Sequence, residues 1–236
     1  MTQQLVLFDI DGTLVLTGGA GKRGMTRAFE ALFGIPDAFA QVSLAGRTDT
    51  SILADALDHH AIPDAERDIT AFRRRYLEYL REEVGRATSG KTVLPGILPL
   101  LDALTVSPHT FLGLLTGNYA GAAEVKLGHF DLWRYFRCGA FGDDAHDRNH
   151  LVPIALDRAR SCGLPPAVIS ADVVVVGDTP RDVECARAHG ARVVAVATGE
   201  YSVRQLHDAG ADVVFEDFSE TALVLAAIAD DRSASQ

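Results

Sequence analysis

Short apolar runs alternate with longer stretches of helical periodicity along this chain of 236 residues. The apolar runs have the length of strands and occupy residues 5–8, 111–115, 173–176, 193–196 and 213–215. Because they are apolar throughout, they are typical of strands that are covered on both faces. Helical patterns lie between them, at residues 98–104, 120–127, 151–161, 181–189 and 220–229. This alternation predicts an α/β fold, with a parallel sheet and helices on both of its faces.

One long stretch breaks the alternation. Between residues 15 and 91 no apolar run has the pattern of a buried strand, and helical patterns cover residues 23–33, 50–59 and 64–84. Turn residues at Ser89-Gly90-Lys91 and Pro95-Gly96 mark the return to the first pattern. We therefore expect a helical domain at 15–91 that is inserted into a core domain formed by 1–14 and 92–236.

Acidic residues follow two of the predicted strands. Asp9 and Asp11 come directly after the first apolar run, and Gly12 ends the strand there. Asp178 and Asp182 follow the run at 173–176, with Pro180 suited to the first turn of a helix. Open α/β sheets bind ligands at the carboxyl ends of their strands. Carboxylates brought together there repel each other unless a cation relieves them, and magnesium with its preference for oxygen ligands is the simplest candidate.

The strand at 111–115 ends in a hydroxyl, a glycine and an amide, namely Thr116, Gly117 and Asn118, and a helix is predicted from about residue 120. Free backbone N–H groups at a helix N-terminus, together with a side-chain donor, suit the oxygens of a phosphate. The alternative is an ordinary capped turn between a strand and a helix.

These segments resemble the motifs of the haloacid dehalogenase-like (HAD) superfamily. Asp9-Ile10-Asp11-Gly12-Thr13 is similar to the first motif, the strand that ends at Thr116 to the second, and Gly177-Asp178-Thr179-Pro180-Arg181-Asp182 to the fourth. The third motif is normally a lysine. Lys126 lies too early in the chain for it, and Arg148 is the best positional match. Arginine can bind phosphate oxygens, so the role of this position could be kept.

The resemblance implies a Rossmann-like core with a helical cap and a magnesium-dependent phosphatase. Asp9 would be the nucleophile that forms a phosphoaspartyl intermediate, and Asp11 the general acid and base. Mg²⁺ would be held by Asp9, Asp11, Asp178 and Asp182. The phosphate would be bound by Thr116, Gly117, Asn118 and Arg148. The layout is similar to that of phosphoglycolate phosphatases, which implies a small phosphorylated metabolite of the phosphoglycolate or sugar-phosphate type. In the predicted cap, Arg47 is the candidate substrate contact.

Other activities of the same fold stay open. A phosphosugar mutase would use the same acids, and a phosphonate hydrolase would form an imine on a lysine such as Lys22. A dehalogenase would need neither Asp11 nor a metal, so the presence of Asp11 together with a predicted metal site counts against a dehalogenase. A catalytically silent binding module is the alternative from another class, and the intact pair Asp9 and Asp11 argues against it.

The net charge limits the classes of partner, and the cysteines indicate the compartment. The net charge of −10 is unsuited to general binding of nucleic acid or of an anionic membrane. No apolar run approaches the length of a membrane span. Three scattered cysteines without C-x-x-C spacing favour free thiols in a reducing compartment. We expect a cytoplasmic protein that binds a small-molecule phosphate ester, and the sequence predicts no oligomeric state.

Overall fold

The computed structural model describes residues 3–63 and 66–229. Its strands, in chain order, are β1 (Gln4–Phe8), β2 (Val15–Thr17), β3 (Lys91–Val93), β4 (Thr110–Leu115), β5 (Gly139–Ala140), β6 (Val173–Gly177), β7 (Arg192–Val196) and β8 (Val213–Phe215). Six of them form one parallel sheet in the order β5-β4-β1-β6-β7-β8. β1 is central, between β4 and β6, so the ends of these three strands lie side by side at the carboxyl edge.

Helices surround the sheet and separate its strands along the chain. They are α1 (Ala20–Phe33), α2 (Asp49–His59), α3 (Glu66–Gly85), α4 (Ile97–Val106), α5 (Ala120–His129), α6 (Leu151–Ser161), α7 (Pro180–Arg187), α8 (Val203–Asp208) and α9 (Thr221–Ala229). Short 3₁₀ turns at Trp133–Tyr135, Arg148–His150 and Ser170–Asp172 complete the regular structure of the described residues.

Alternate residues of β1 face two separate apolar layers. Val6 and Phe8 pack with α4, α5 and α9, whereas Leu5 and Leu7 pack with α6, α7 and α8. Both sets are fully buried. A strand that is covered on both faces cannot carry a polar side, which explains its unbroken apolar run. The predicted α/β fold, with helices on both faces of a parallel sheet, is confirmed.

Helices α1, α2 and α3 build a third apolar cluster outside the sheet. Buried aromatic residues of this helical insert, Phe29, Phe39, Phe72 and Tyr76, pack against one another with ring centroids 5.5–6.4 Å apart. Aromatic contacts of this kind contribute beyond their buried area. Tyr119 belongs to the same cluster, so the insert packs onto the first turn of α5.

Some elements differ from the prediction. β2 and β3 pair antiparallel at the two ends of the insert, where the sequence indicated no strand. β5 and α8 were not predicted either. β2, β3 and β5 have two or three residues each and include Thr, Lys or Gly, so none forms an apolar run, whereas β8, which is equally short, is Val-Val-Phe. The predicted start of α3 at Asp64 lies outside the described residues. In the described part of the chain, no helix combines the length and the apolar character needed to cross a membrane.

Candidate active site

The first candidate residues lie where β1 ends at the carboxyl edge of the sheet. Asp9 follows the strand, and its N–H donates to the Val176 carbonyl on β6 (2.9 Å). The chain turns at Gly12, whose φ is +82°, and a Cβ there would lie 2.3 Å from Asp178 Oδ2. The turn therefore requires glycine for its backbone conformation and for space. Asp9 is buried, whereas the Asp11 side chain is 44% exposed.

Asp178 and Asp182 are brought to the same place by the end of β6 and the first turn of α7. Thr179 caps α7, and Asp182 Oδ2 accepts hydrogen bonds from the Thr179 N–H (3.0 Å) and hydroxyl (2.7 Å). This reciprocal capping box fixes the Asp182 side chain at the start of the helix. Asp178 Oδ1 accepts a hydrogen bond from the Thr13 hydroxyl at 3.0 Å, which joins the β6 end to the turn after β1.

Three carboxylates form one buried cluster. Asp9, Asp178 and Asp182 each contribute an oxygen, and these oxygens lie within 4.8 Å of one another. Burial raises the pKa of Asp9 to about 6, and neighbouring Asp182 and Asp11 act in the same direction, although Arg148 opposes them. Burial also raises the pKa of Asp178, with further contributions from Asp182 and Asp9. Carboxylates crowded in this way favour either a shared proton or a cation.

Arg148 lies against this cluster. It is 5% exposed, and its Nη2 donates to Asp182 Oδ1 (2.5 Å) and lies 3.2 Å from Asp9 Oδ1. The same guanidinium donates to the carbonyls of Leu115 and Gly46, both at 3.2 Å. Burial lowers the pKa of Arg148, but Asp182 and Asp9 together outweigh it and raise the pKa above its ordinary value, so the group stays charged. The position that the sequence assigned to a phosphate contact is thus a buried cation paired with carboxylates.

The turn after β4 forms the other side of the site. The Thr116 hydroxyl accepts from the Asn118 side-chain amide (2.8 Å), and that amide also donates to Asp11 Oδ2 (2.9 Å). The backbone of Gly117 passes closely under the insert, because a Cβ on this residue would lie 1.9 Å from the Arg47 carbonyl oxygen. The ends of β1, β4 and β6 therefore bring their candidate residues together.

A cavity of about 440 Å³ opens above these strand ends, between the sheet and the helical insert. Its walls include Asp9, Asp11 and residues of the insert such as Lys22. Arg47 also lines the cavity, but its guanidinium pairs with Asp55 (2.6 Å) and donates to the Ser51 carbonyl (3.0 Å). The structure therefore brings Arg47 to the cavity with its charge already paired within the insert.

Comparison with known proteins agrees with this geometry. The family profile described as haloacid dehalogenase-like hydrolase matches residues 6–196. The chain belongs to the haloacid dehalogenase-like hydrolases. A phosphoglycolate phosphatase of Rhodospirillum rubrum is 32% identical over 217 residues, which cover 91% of this chain and 87% of that protein. A probable phosphatase, IndB, of Dickeya dadantii is 29% identical over 92% of this chain and 90% of its own length.

Solved structures of similar fold include CbbY from Rhodobacter sphaeroides in complex with phosphate. It superposes with a TM-score of 0.71 at 21% identity, and the match covers 93% of this chain and 96% of that chain. At this identity the likeness supports the fold alone, and it agrees with the family assignment.

Lys126 is a residue of this haloacid dehalogenase-like hydrolase that sequence reasoning misses as a member of the site. Its Nζ donates to Asp11 Oδ2 (2.5 Å) and to Asn118 Oδ1 (2.6 Å), and the residue is 4% exposed. Its place in α5 is too early in the chain to match the third motif by order. Side chains of a helix lean toward its N-terminus, however, and this one reaches back to the residues before the helix.

Asp49 is a second residue that the sequence did not single out as part of the site. It begins α2 in the insert, where its N–H donates to the Gly117 carbonyl (2.6 Å) and its Oδ2 accepts from the Tyr119 N–H (2.8 Å). Asp49 thus holds the insert against the turn after β4. Burial raises its pKa to about 7, although the nearby charge of Lys126 opposes this.

Replacing Asp49 with asparagine should change how stability depends on pH. The folded-state pKa of about 7 lies above the ordinary 3.8, so wild type is most stabilised by this group at low pH and loses that contribution as pH rises toward 7. Asparagine can still accept the Tyr119 N–H but does not ionise. We expect the free energy of unfolding of the variant, relative to wild type, to rise by about 2 kcal/mol between pH 5 and pH 8.

The measurement is denaturant unfolding at both pH values without divalent cations. Asp55→Asn in the same helix is the matched control. Arg47 holds the pKa of Asp55 below its ordinary value, so this carboxylate is ionised throughout the interval and its replacement should shift stability by the same amount at both pH values. If the free energy of unfolding of Asp49→Asn differs from that of wild type by the same amount at both pH values, the raised pKa of Asp49 is contradicted.

Proposed function

We propose that the protein is a magnesium-dependent phosphatase that hydrolyses a small phosphorylated metabolite through a phosphoaspartyl intermediate. The observation that carries this proposal is the position of Asp9. It is a buried carboxylate at the end of the central strand, it lines the cavity, and it lies beside both the acidic cluster and Arg148. The names of the two sequence relatives, a phosphoglycolate phosphatase and a probable phosphatase, support the reaction class.

The donor set suits magnesium. Asp9, Asp178 and Asp182 offer carboxylate oxygens within 4.8 Å of one another, and the raised pKa of Asp9 and of Asp178 reflects burial and repulsion that a cation would relieve. Two glycines pack closely against Asp178. A Cβ on Gly12 would lie 2.3 Å from its Oδ2, and a Cβ on Gly199 would lie 1.8 Å from it. We assign the ion to Asp9, Asp178 and the backbone carbonyl of Asp11, with Asp182 direct or through water. Bound there, it would polarise phosphoryl oxygens and offset carboxylate charge.

Asp9 performs the covalent step and Asp11 performs the proton transfers. A carboxylate oxygen of Asp9 forms a bond to phosphorus while the bond from phosphorus to the ester oxygen breaks, and Asp11 gives its proton to the departing alcohol. Water then attacks the phosphoaspartate. Asp11 takes a proton from this water, the bond from phosphorus to Asp9 breaks, and inorganic phosphate leaves. The sum is one ester and one water converted to one alcohol and one phosphate.

The remaining residues hold the phosphoryl group. Thr116 and the backbone N–H groups near Gly117 and Asn118 lie at the β4 turn beside Asp9, and the Arg148 guanidinium adds a fixed positive charge. Fixed donors of this kind stabilise charge that develops in a transition state. Because Arg148 already pairs with Asp9 and Asp182, we propose that it orients the nucleophile as well as neutralising the transferred group.

The helical insert would act as the cap. We propose that residues 15–91 form this cap domain and that 1–14 and 92–236 form the core domain. The cap closes over the strand ends and excludes water, with Asp49 on the β4 turn as one of its contacts. The substrate class that we propose is a phosphoglycolate-type or sugar-phosphate ester, which a cavity of about 440 Å³ can hold. Arg47 remains the proposed cap contact to substrate.

The expected partner is a small molecule rather than a macromolecule. The net charge of −10 disfavours nucleic acid and anionic membranes as partners. Cys138, Cys162 and Cys185 are all free thiols. Free thiols support the proposal of a cytoplasmic enzyme, because that compartment is reducing.

Metal dependence and substrate class can be tested in one experiment. Phosphate release is measured from a panel of small esters, including phosphoglycolate and sugar phosphates, with Mg²⁺ and with EDTA. We expect one or a few esters to be hydrolysed, and EDTA to slow the reaction by about 100-fold or more. Restoring Mg²⁺ after EDTA is the control for irreversible damage. Equal rates with and without the metal would contradict its proposed role, and no release from folded protein would contradict the phosphatase.

A further inference from the structure

Lys126 makes contacts that a surface lysine would not make. It lies in the last turn of α5, where a cation suits the helix dipole, but its ammonium reaches back toward the start of the helix. There the dipole disfavours a positive charge, and burial adds a desolvation cost. The side chain is 5% exposed, and the hydrogen bonds to Asp11 and Asn118 offset that cost.

The contacts of Asp11 fall on one of its two oxygens. Oδ2 accepts from Lys126 Nζ (2.5 Å) and from Asn118 Nδ2 (2.9 Å). No hydrogen bond to Oδ1 is found within residues 3–63 and 66–229. Asn118 is itself fixed by Lys126 and by the Thr116 hydroxyl. Two donors on one oxygen restrict rotation of the carboxylate, so the other oxygen is held toward the cavity that Asp11 lines.

The insert covers this arrangement from the opposite side. A Cβ on Gly21 would lie 3.3 Å from Lys126 Nζ, so the first turn of α1 packs directly over the ammonium. The charge of Lys126 also acts on Asp49, the insert residue that bonds to the β4 turn. Lys126 therefore lies between Asp11, the proposed general acid and base, and two elements of the insert, the first turn of α1 and the start of α2.

We propose that Lys126 is a positioning residue, which with Asn118 clamps Asp11 Oδ2 and leaves Oδ1 as the atom that exchanges the proton. This inference rests on the proposed phosphatase function and deepens it. Removing the clamp leaves Asp9 and its phosphoryl contacts in place. It should slow cleavage only of esters whose leaving group needs a proton from Asp11.

The test compares two leaving groups in single-turnover experiments. Glycolate release from phosphoglycolate needs protonation of a strongly basic alkoxide, whereas 4-nitrophenolate leaves 4-nitrophenyl phosphate without it. For Lys126→Met we expect the rate constant of glycolate release to fall by about 100-fold and that of nitrophenolate release by less than about 10-fold, with the half-saturating enzyme concentration nearly unchanged. Equal slowing of both releases in the folded variant, or no slowing of glycolate release, would overturn the inference.

A structural lysine provides the matched control. Lys91 also has a partly buried ammonium, but it donates to the carbonyls of Glu83 (2.9 Å) and Val84 (2.5 Å) at the end of α3. Lys91→Met should affect the two substrates by the same factor, whatever it does to stability. If Lys126→Met does not fold, Asn118→Ala removes the other donor to Oδ2. Selective loss of glycolate release supports the inference there too, and equal loss overturns it.

The two hypotheses fail in different ways. If wild type cleaves neither substrate in a single turnover, the proposed function is overturned, and this inference with it. If wild type cleaves both and the Lys126→Met variant keeps their ratio, the inference alone is overturned and the phosphatase stands.

Discussion

Replacing Asp9 with asparagine is expected to lower turnover by about 10⁴-fold or more while the protein stays folded. The amide has the size of the carboxylate but is not a nucleophile, so no phosphoaspartate can form. The backbone hydrogen bond from Asp9 to Val176 is unaffected, and Arg148 keeps its contact with Asp182. The measurement is phosphate release from the best ester of the panel, together with thermal unfolding.

The same variant should be more stable than wild type when no divalent cation is present. The folded-state pKa of Asp9, about 6, lies above its ordinary 3.8, so wild type loses stability as the pH rises from about 3.8 to 6, and the full loss is present above pH 6. At pH 7.5 we expect Asp9→Asn to raise the melting temperature by a few degrees. Asp157→Asn, at an exposed residue whose side chain pairs with Arg160 in the same helix, is the control and should change neither turnover nor melting temperature. Undiminished turnover by Asp9→Asn would rule out the proposed mechanism.

The sequence predicted best the features that depend on local pattern. The strands that carry the site are buried on both faces, so their apolar runs are unbroken, and each stops at a polar turn. Parallel strands end at a common edge, and for that reason the sequence alone predicts that Asp9, Thr116 and Asp178 lie together. The capping box of Thr179 and Asp182 is likewise a local feature.

Local sequence patterns do not predict contacts between distant parts of the chain. Lys126 contacts Asp11, which lies 115 positions earlier, and Asp49 contacts the Tyr119 N–H, 70 positions later. Neither pairing leaves a periodic pattern in the sequence. The pairing of Arg47 with Asp55 was also not predicted, although the two are only eight positions apart, with Arg47 just before α2 and Asp55 within it. Burial decides whether such charges bind a ligand or each other, and burial follows from how the insert packs on the sheet.

Arg148 has one contact that the sequence predicts and several that it does not. Its order along the chain indicated the third motif, and the structure places its guanidinium 3.2 Å from Asp9. The second carboxylate partner, Asp182, and the two carbonyl acceptors could not be predicted from order alone. They make Arg148 a structural cation of the site in addition to its proposed role on phosphate.

Replacing Arg148 with methionine should therefore impair stability and catalysis together. The change leaves Asp9 and Asp182 buried without this cation, and breaking a buried ion pair on one side costs about 3–5 kcal/mol. We expect kcat with the best ester to fall by about 100- to 1000-fold, since a fixed charge on the transferring group is lost. Phosphate release at saturating Mg²⁺ and denaturant unfolding without divalent cations give the two quantities.

Arg148→Lys separates charge from geometry at this position. Lysine keeps the positive charge but has three donors, whereas the arginine contacts two carboxylates and two carbonyls. We expect this variant to be less stable than wild type by about 1–2 kcal/mol, because one or more of these acceptors loses its partner. Its kcat should remain within about 10-fold of wild type if charge is what the reaction needs. A lysine variant as inactive as the methionine variant would instead show that the fixed fork of the guanidinium, which holds Asp9 and Asp182 in one arrangement, is what the site requires.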